Sequence, residues 1–129
     1  MDKAAVLDQD YLRVNYHQAG FSYLLPEILA LFRRQAAIYL QSIEQHLMQA
    51  NLHELALEAH TLKGAAGSVG AAALAQIAQH LEETVPDSDI AAVTLLVDSL
   101  REITDRTDAA ITAELARLAA ETDDTLDHI

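Results

Sequence analysis

Beyond Pro86 the chain runs to Ile129 without a glycine or a proline. Along that run apolar and small residues recur three and four apart: Ile90, Val93, Leu96, Val97, Leu100, Ile103, Thr107, Ala110, Ile111, Leu115 and Leu118. That spacing draws one stripe down a helix, whereas a strand would alternate with period two. A helix so long with so narrow an apolar stripe can bury it only against other helices. The spacing predicts a helix capped by Asp87 or Ser88 and running to about Ala120. The remainder, "ETDDTLDHI", reads as a frayed tail.

The rest of the chain repeats the pattern. Asp8 to about His17 reads as a short helix, and Gly20 punctuates the chain. A long helix follows to about Gln49, with Leu25, Leu29, Phe32, Ala36, Leu40 and Ile43 among its inner positions. Pro26 belongs in its first turn, where a missing N–H costs nothing. Asn51 is placed to cap a third helix, with Glu54 as capping-box partner. Its stripe is Leu52, Leu55, Ala59, Leu62, Ala66 and Val69, and it should end near Gly70. A fourth helix spans about Ala71 to Thr84, with Leu74, Ile77, Ala78 and Leu81 inward, until Pro86 stops it. No period-two pattern, internal repeat or long linker appears. The expected fold is all-α: an antiparallel up-down four-helix bundle with an additional short N-terminal helix. It is expected to form one domain over residues 1–129, with its core at about 20–120.

Composition removes several classes of function. The formal charge of −12 argues against nucleic acid or an anionic membrane as main partner. Cysteine is absent, which excludes disulfides and thiolate metal sites. No apolar run is long enough for a membrane span, and "MDKAAVLDQD" is too acidic for a signal peptide. A cytoplasmic setting without membrane insertion is therefore expected.

One stretch departs from plain helix chemistry. "EAHTLKGAAGSVGA" places Gly64, Gly67 and Gly70 just after His60, although a mid-helix glycine costs about 0.8–1 kcal/mol relative to alanine. On a wheel of about 100° per residue with His60 at zero, Lys63 falls at about −60°, Gly64 at about +40° and Gly67 at about −20°. The core stripe lies roughly 130° from His60, so the histidine face should meet solvent. The bare glycines leave the ring open to a docking protein. Lys63, one of only two lysines, sets a cation one turn away. A neutral imidazole near pH 7 is a nucleophile that can take a phosphoryl group in line and give it up again. Such transfer needs mostly positioning and charge neutralisation. No Walker loop or kinase signature accompanies it, so no nucleotide site is implied.

The same stretch resembles a known family. The pattern H-x-L-K-G-[AS]-[AS]-x-x-[LIV]-G is met by His60, Leu62, Lys63, Gly64, Ala65, Ala66, Val69 and Gly70. Residues 59–82 look like the signature of histidine-containing phosphotransfer (HPt) domains, above all those of hybrid sensor kinases and phosphorelays. "LLPEILALF" and the long last helix fit that layout, so the likeness covers roughly residues 20–120. The resemblance implies that His60 is phosphorylated at Nε2 by a receiver-domain phosphoaspartate and passes the group to a second receiver. It makes the chain a monomeric phosphocarrier without kinase activity. Its partners would be response-regulator receivers and a hybrid sensor histidine kinase. Magnesium would come with the receiver, and the chain would carry no cofactor. Lys63 becomes the phosphate-side cation and Gly64 the clearance residue, with Gly67 beside it on the docking face. Glu82 stands where relatives place a polar residue that orients the ring through Nδ1, which would leave the Nε2 lone pair free.

Two other functions compete: a scaffold that docks receivers without transfer, and a metal-binding bundle. A helical di-iron site needs Glu-x-x-His pairs on facing helices, and the chain has none. A regulator that covers an apolar groove of its partner is a weaker third. His46, His53 and His80 read as structural or solvated, Arg33 and Arg34 as a solvated helix face, and Gly70 as a helix-end residue.

Overall fold

The structure, a computed structural model, describes residues 4–87 and 89–127, and their side chains at 4–86 and 89–121. It is all-helical among the described residues, in the order α1 (Gln9–Leu12), α2 (Leu25–Met48), α3 (Leu52–Ser68), α4 (Ala72–Thr84) and α5 (Ile90–Asp127). Each of α2 to α5 packs on two neighbours, α2 on α3, α3 on α4, α4 on α5, and α5 back on α2. With short connections this is the antiparallel up-down four-helix bundle, and α1 is the extra N-terminal helix. The inner stripes come from the expected positions. Leu25, Leu29 and Ile43 on α2, Leu55, Ala59, Leu62 and Ala66 on α3, Leu74, Ala78 and Leu81 on α4, and Val93, Leu100 and Ile111 on α5 are all fully buried.

The two corners α2–α3 and α3–α4 share one construction. At the first, the Ala50 N–H donates to Leu47 O and the Asn51 N–H to His46 O; at the second, the Gly70 N–H donates to Gly67 O and the Ala71 N–H to Ala66 O. Both are Schellman turns, and the pivot residue of each has positive φ, Ala50 at 55° and Gly70 at 75°. The residue after each pivot ends one helix and begins the next. This is why the capping box expected at Asn51 does not form. Its backbone is held at ψ 69°, away from the extended geometry of an ordinary N-cap, and its side chain donates to Gln49 Oε1 instead.

The N-terminal arm closes the far end of α3. The Asp8 N–H donates to Gly70 O, and Ala5 O accepts from the Ala73 N–H in the first turn of α4. Asp8 Oδ1 caps α1 by accepting from the Tyr11 N–H. The regular helix expected to His17 instead widens into a π-helical turn over Arg13–His17. That turn brings Tyr11 and Tyr16, five residues apart, onto the same carbonyl, Ser68 O, at 3.3 and 2.9 Å. In an α-helix those side chains would diverge by about 140°. Two details of α5 also differ from expectation. Its cap is Asp89, whose Oδ1 accepts from the Ala92 N–H; Ser88 and the Asp87 side chain lie outside the described residues. The helix then continues past Ala120 to Asp127, so most of the expected tail is helical, and residues 128 and 129 lie outside the described residues. Ile90, in its first turn, is half exposed rather than inward.

Two substitutions test the corners. Ala50→Gly is expected to raise stability by about 0.5–1 kcal/mol in urea unfolding, because an alanine in left-handed geometry carries a steric cost that glycine avoids. Gly70→Ala is expected to lower it by more than about 1 kcal/mol. Its added Cβ would lie 3.0 Å from Tyr11 Cδ1 and 3.3 Å from Asp8 O, on a backbone already at positive φ.

Candidate functional site

The rotation of α3 follows from its buried stripe. With Leu55, Ala59, Leu62 and Ala66 inward, His60 turns out, and its side chain is 64% exposed. The alanines at 59 and 66 and Ala78 on α4 let the two backbones run close. Glu82, near the end of α4, thereby comes within reach of α3. Its Oε1 lies 2.7 Å from His60 Nδ1, and its Oε2 accepts from Lys63 Nζ at 2.8 Å.

This three-residue cluster has a definite protonation logic. The Lys63 hydrogen bond is the main influence holding the Glu82 carboxyl below its usual range; partial desolvation opposes it, and His60 adds to it. Glu82 is therefore ionised near neutral pH and can only accept. The proton of the His60–Glu82 contact must sit on Nδ1. In the neutral ring this leaves the lone pair on Nε2, the nitrogen that points away from the carboxylate. Lys63 is not a free cation. Its ammonium stands one turn from His60 but is engaged by Glu82, so any anion arriving at Nε2 meets a lysine that is already paired.

The glycines behave differently from one another. A Cβ added at Gly64 or Gly67 would meet nothing within 4 Å, so neither serves close packing between helices. Gly67 also borders a small cleft with Lys63, Tyr11 and Gln79. Both lie on the solvent side of α3, whereas Gly70 is the corner residue described above. The other histidines stand apart from this cluster. His46 Nε2 lies 3.4 Å from Ser42 Oγ and 3.8 Å from Glu58, between α2 and α3, and its Nδ1 is buried without a partner. Among the described residues, no group of three His, Asp or Glu side chains is placed to hold a metal ion, and no helix is long and apolar enough to cross a membrane.

Several exposed apolar side chains on α2 and α3 are not singled out by the sequence. Leu57 is 51% exposed one turn before His60, and on α2 Leu31 and Ile38 are 48% and 64% exposed. Their only signal in the sequence is that they fall off the core stripe, which a single exposed apolar residue often does.

The cluster yields two expectations. Gly64→Ala should raise stability by up to about 1 kcal/mol in thermal or urea unfolding, since the new methyl group meets open space. Glu82 titrates at a lower pH folded than unfolded, so its charge stabilises the fold above its unfolded value of about 4.5. That contribution fades as pH falls through the folded value. The stability difference between the native chain and Glu82→Gln should therefore be largest near neutral pH and shrink in acid.

Comparison with known proteins agrees with the fold and the motif. A family model described as the Hpt domain matches residues 27–121. The crystal structure of histidine-containing phosphotransfer protein B from Pseudomonas aeruginosa PAO1 is similar in fold. It has a TM-score of 0.80 and 23% identity over 88% of this chain and 97% of that one. None of the curated proteins compared matches the sequence. The match takes in most of the chain and includes the helix that carries His60, Lys63 and Gly64: the chain belongs to the family of Hpt domains.

Proposed function

We propose that His60 is the phosphoryl carrier of a phosphorelay, taking the group from a receiver-domain phosphoaspartate and giving it to a second receiver. The observation that carries this reading is the bond from His60 Nδ1 to Glu82 on an otherwise solvent-exposed ring. It presents Nε2 as the free nucleophile. The Nε2 lone pair attacks phosphorus as the P–O bond to aspartate breaks, and the electrons of that bond return to the carboxylate. The imidazolium formed keeps its Nδ1 proton against ionised Glu82, which stabilises the positive ring. Transfer onward reverses the step, with a second receiver's aspartate as nucleophile.

Glu82 and Lys63 have complementary roles. Both carboxylate oxygens of Glu82 are occupied, so it offers no ligand set for a hard divalent ion, which needs several oxygens. In this reading magnesium comes with the receiver, as the family resemblance implies. Lys63 can swing from Glu82 toward the phosphoryl oxygens once they arrive, because the phosphoryl group brings more negative charge than one carboxylate. In this reading the chain is a carrier rather than a kinase. A hybrid sensor kinase as upstream donor, a cytoplasmic location and a monomeric state belong to this reading.

The docking face follows from helix geometry. α2 runs antiparallel to α3, with Ser42 level with Glu58, so Ile38 and Leu31 lie level with the stretch from Leu62 to Val69. Together with Leu57 they make exposed apolar surface on the outer faces of α2 and α3. A receiver that buries this patch gains apolar contact while its acidic pocket meets the histidine.

Incubation with a phosphorylated receiver should give one acid-labile, base-stable phosphate per chain, and His60→Gln should give none. Phosphate on the His60→Gln chain would refute the assignment of the site. Lys63→Ala should slow transfer about tenfold or more while shifting the melting temperature little. Ile38→Asp should weaken receiver binding without unfolding the chain, because the side chain is already in solvent. Binding without any transfer by the native chain would favour the scaffold reading instead.

A further inference from the structure

On the side of the bundle away from α3, two arginines tie α2 to α5. Arg33 Nε and Nη2 donate to Asp108 at 2.9 and 3.2 Å, and Arg101 Nε and Nη2 donate to Glu44 at 2.8 and 2.5 Å. Between these clamps the facing side chains are short: Ala36 and Ala37 on α2, Thr104 on α5. Long arms span the two ends while the residues between cannot fill the gap. The result is an open cleft of about 690 Å³. Phe32, Ala36 and Leu40 back it but are almost wholly buried, so the surface it presents is mixed polar and apolar. Its size suits a small organic ligand.

The polar groups select its chemistry. Both guanidinium groups already donate to carboxylates. The Thr104 and Thr107 hydroxyls each donate at 2.7 Å to a carbonyl of their own helix, Leu100 O and Ile103 O, so only their lone pairs remain. Asp105, on the rim, makes no hydrogen bond among the described residues, although its charge acts on Arg101. The lining holds two arginines, Arg33 and Arg101, against three carboxylates, Glu44, Asp105 and Asp108, an excess of one negative charge. The cleft is rich in acceptors and poor in free donors.

We propose that this cleft binds a small organic cation, an amine on a short apolar body. The short body lies against Ala36 and Ala37, and the ammonium donates to Asp105 and Thr104. The site is separate from His60, because α3 packs on α2 and α4 while this cleft lies between α2 and α5. It does not depend on the phosphorelay reading.

The test is an amide-resolved NMR titration of the whole chain with phenethylamine, compared with 2-phenylethanol and 3-phenylpropanoate. Saturable shifts centred on Ala36, Ala37, Thr104 and Asp105 are expected for the amine. The neutral alcohol should bind about fivefold more weakly, the carboxylate not measurably, and Asp105→Asn should lose about fivefold for the amine alone. Ala37→Phe, at an exposed rim position, should abolish the shifts while circular dichroism stays native. Shifts scattered over the acidic surface, equal binding of alcohol and amine, or an Asp105→Asn chain that titrates like the native one would each overturn the proposal.

Discussion

The burial of one stripe on α3 is the constraint from which the other features follow. Leu55, Ala59, Leu62 and Ala66 are wholly removed from water, and that fixes the rotation of the helix about its axis. Once those residues point inward, His60 has to face solvent, and Gly64 and Gly67 must lie on the same open side. The stripe also fixes how near α4 comes. Alanines at the α3–α4 contact let the backbones approach, and the approach is what puts Glu82 within 2.7 Å of His60. A bulkier stripe would preserve a bundle yet move the carboxylate out of range. Packing and chemistry are linked here through side-chain volume rather than through any direct contact between core and site.

The site is electrostatically economical. One carboxylate holds an imidazole and an ammonium, and each contact helps keep it ionised. In so acidic a chain, a lone carboxylate beside the histidine would add to the repulsion that an incoming phosphoryl group already meets. Pairing with Lys63 offsets that charge locally. The carboxylate lies on α4 and its two partners lie on α3, so the cluster exists only while α3 and α4 stay packed. The N-terminal arm reinforces that arrangement from one end. It supplies a partner for the Ala73 N–H, and its two tyrosines close the Ser68 carbonyl at the end of α3.

Much of the bundle was readable in advance because helix periodicity is local. The inner residues of α2, α3 and α4 fall where a spacing of three and four puts them, since each stripe reflects only the requirement to leave water. The corners were less readable. Gly70 looked like a helix end and is one, but the matching corner at Ala50 carries no glycine, so nothing in residue type marks its positive φ. Asn51 has the right identity for a cap and the wrong backbone for one, because the preceding Schellman turn sets its ψ. The end of α5 departs from expectation for a related reason. An acidic tail with few apolar residues reads as frayed, yet nothing in it forbids the helix from continuing.

The order of residues was enough to specify an all-helical chain, its inner stripes and an exposed histidine accompanied by a lysine and two glycines, because all of these depend on spacing within a single helix. It could not specify that Glu82 would hold His60 and Lys63 at once, or that short side chains between two arginine clamps would leave a cleft. Each of those depends on the distance and rotation between two helices. That relation is set by how whole side chains interlock across an interface, and no interval along the chain encodes it.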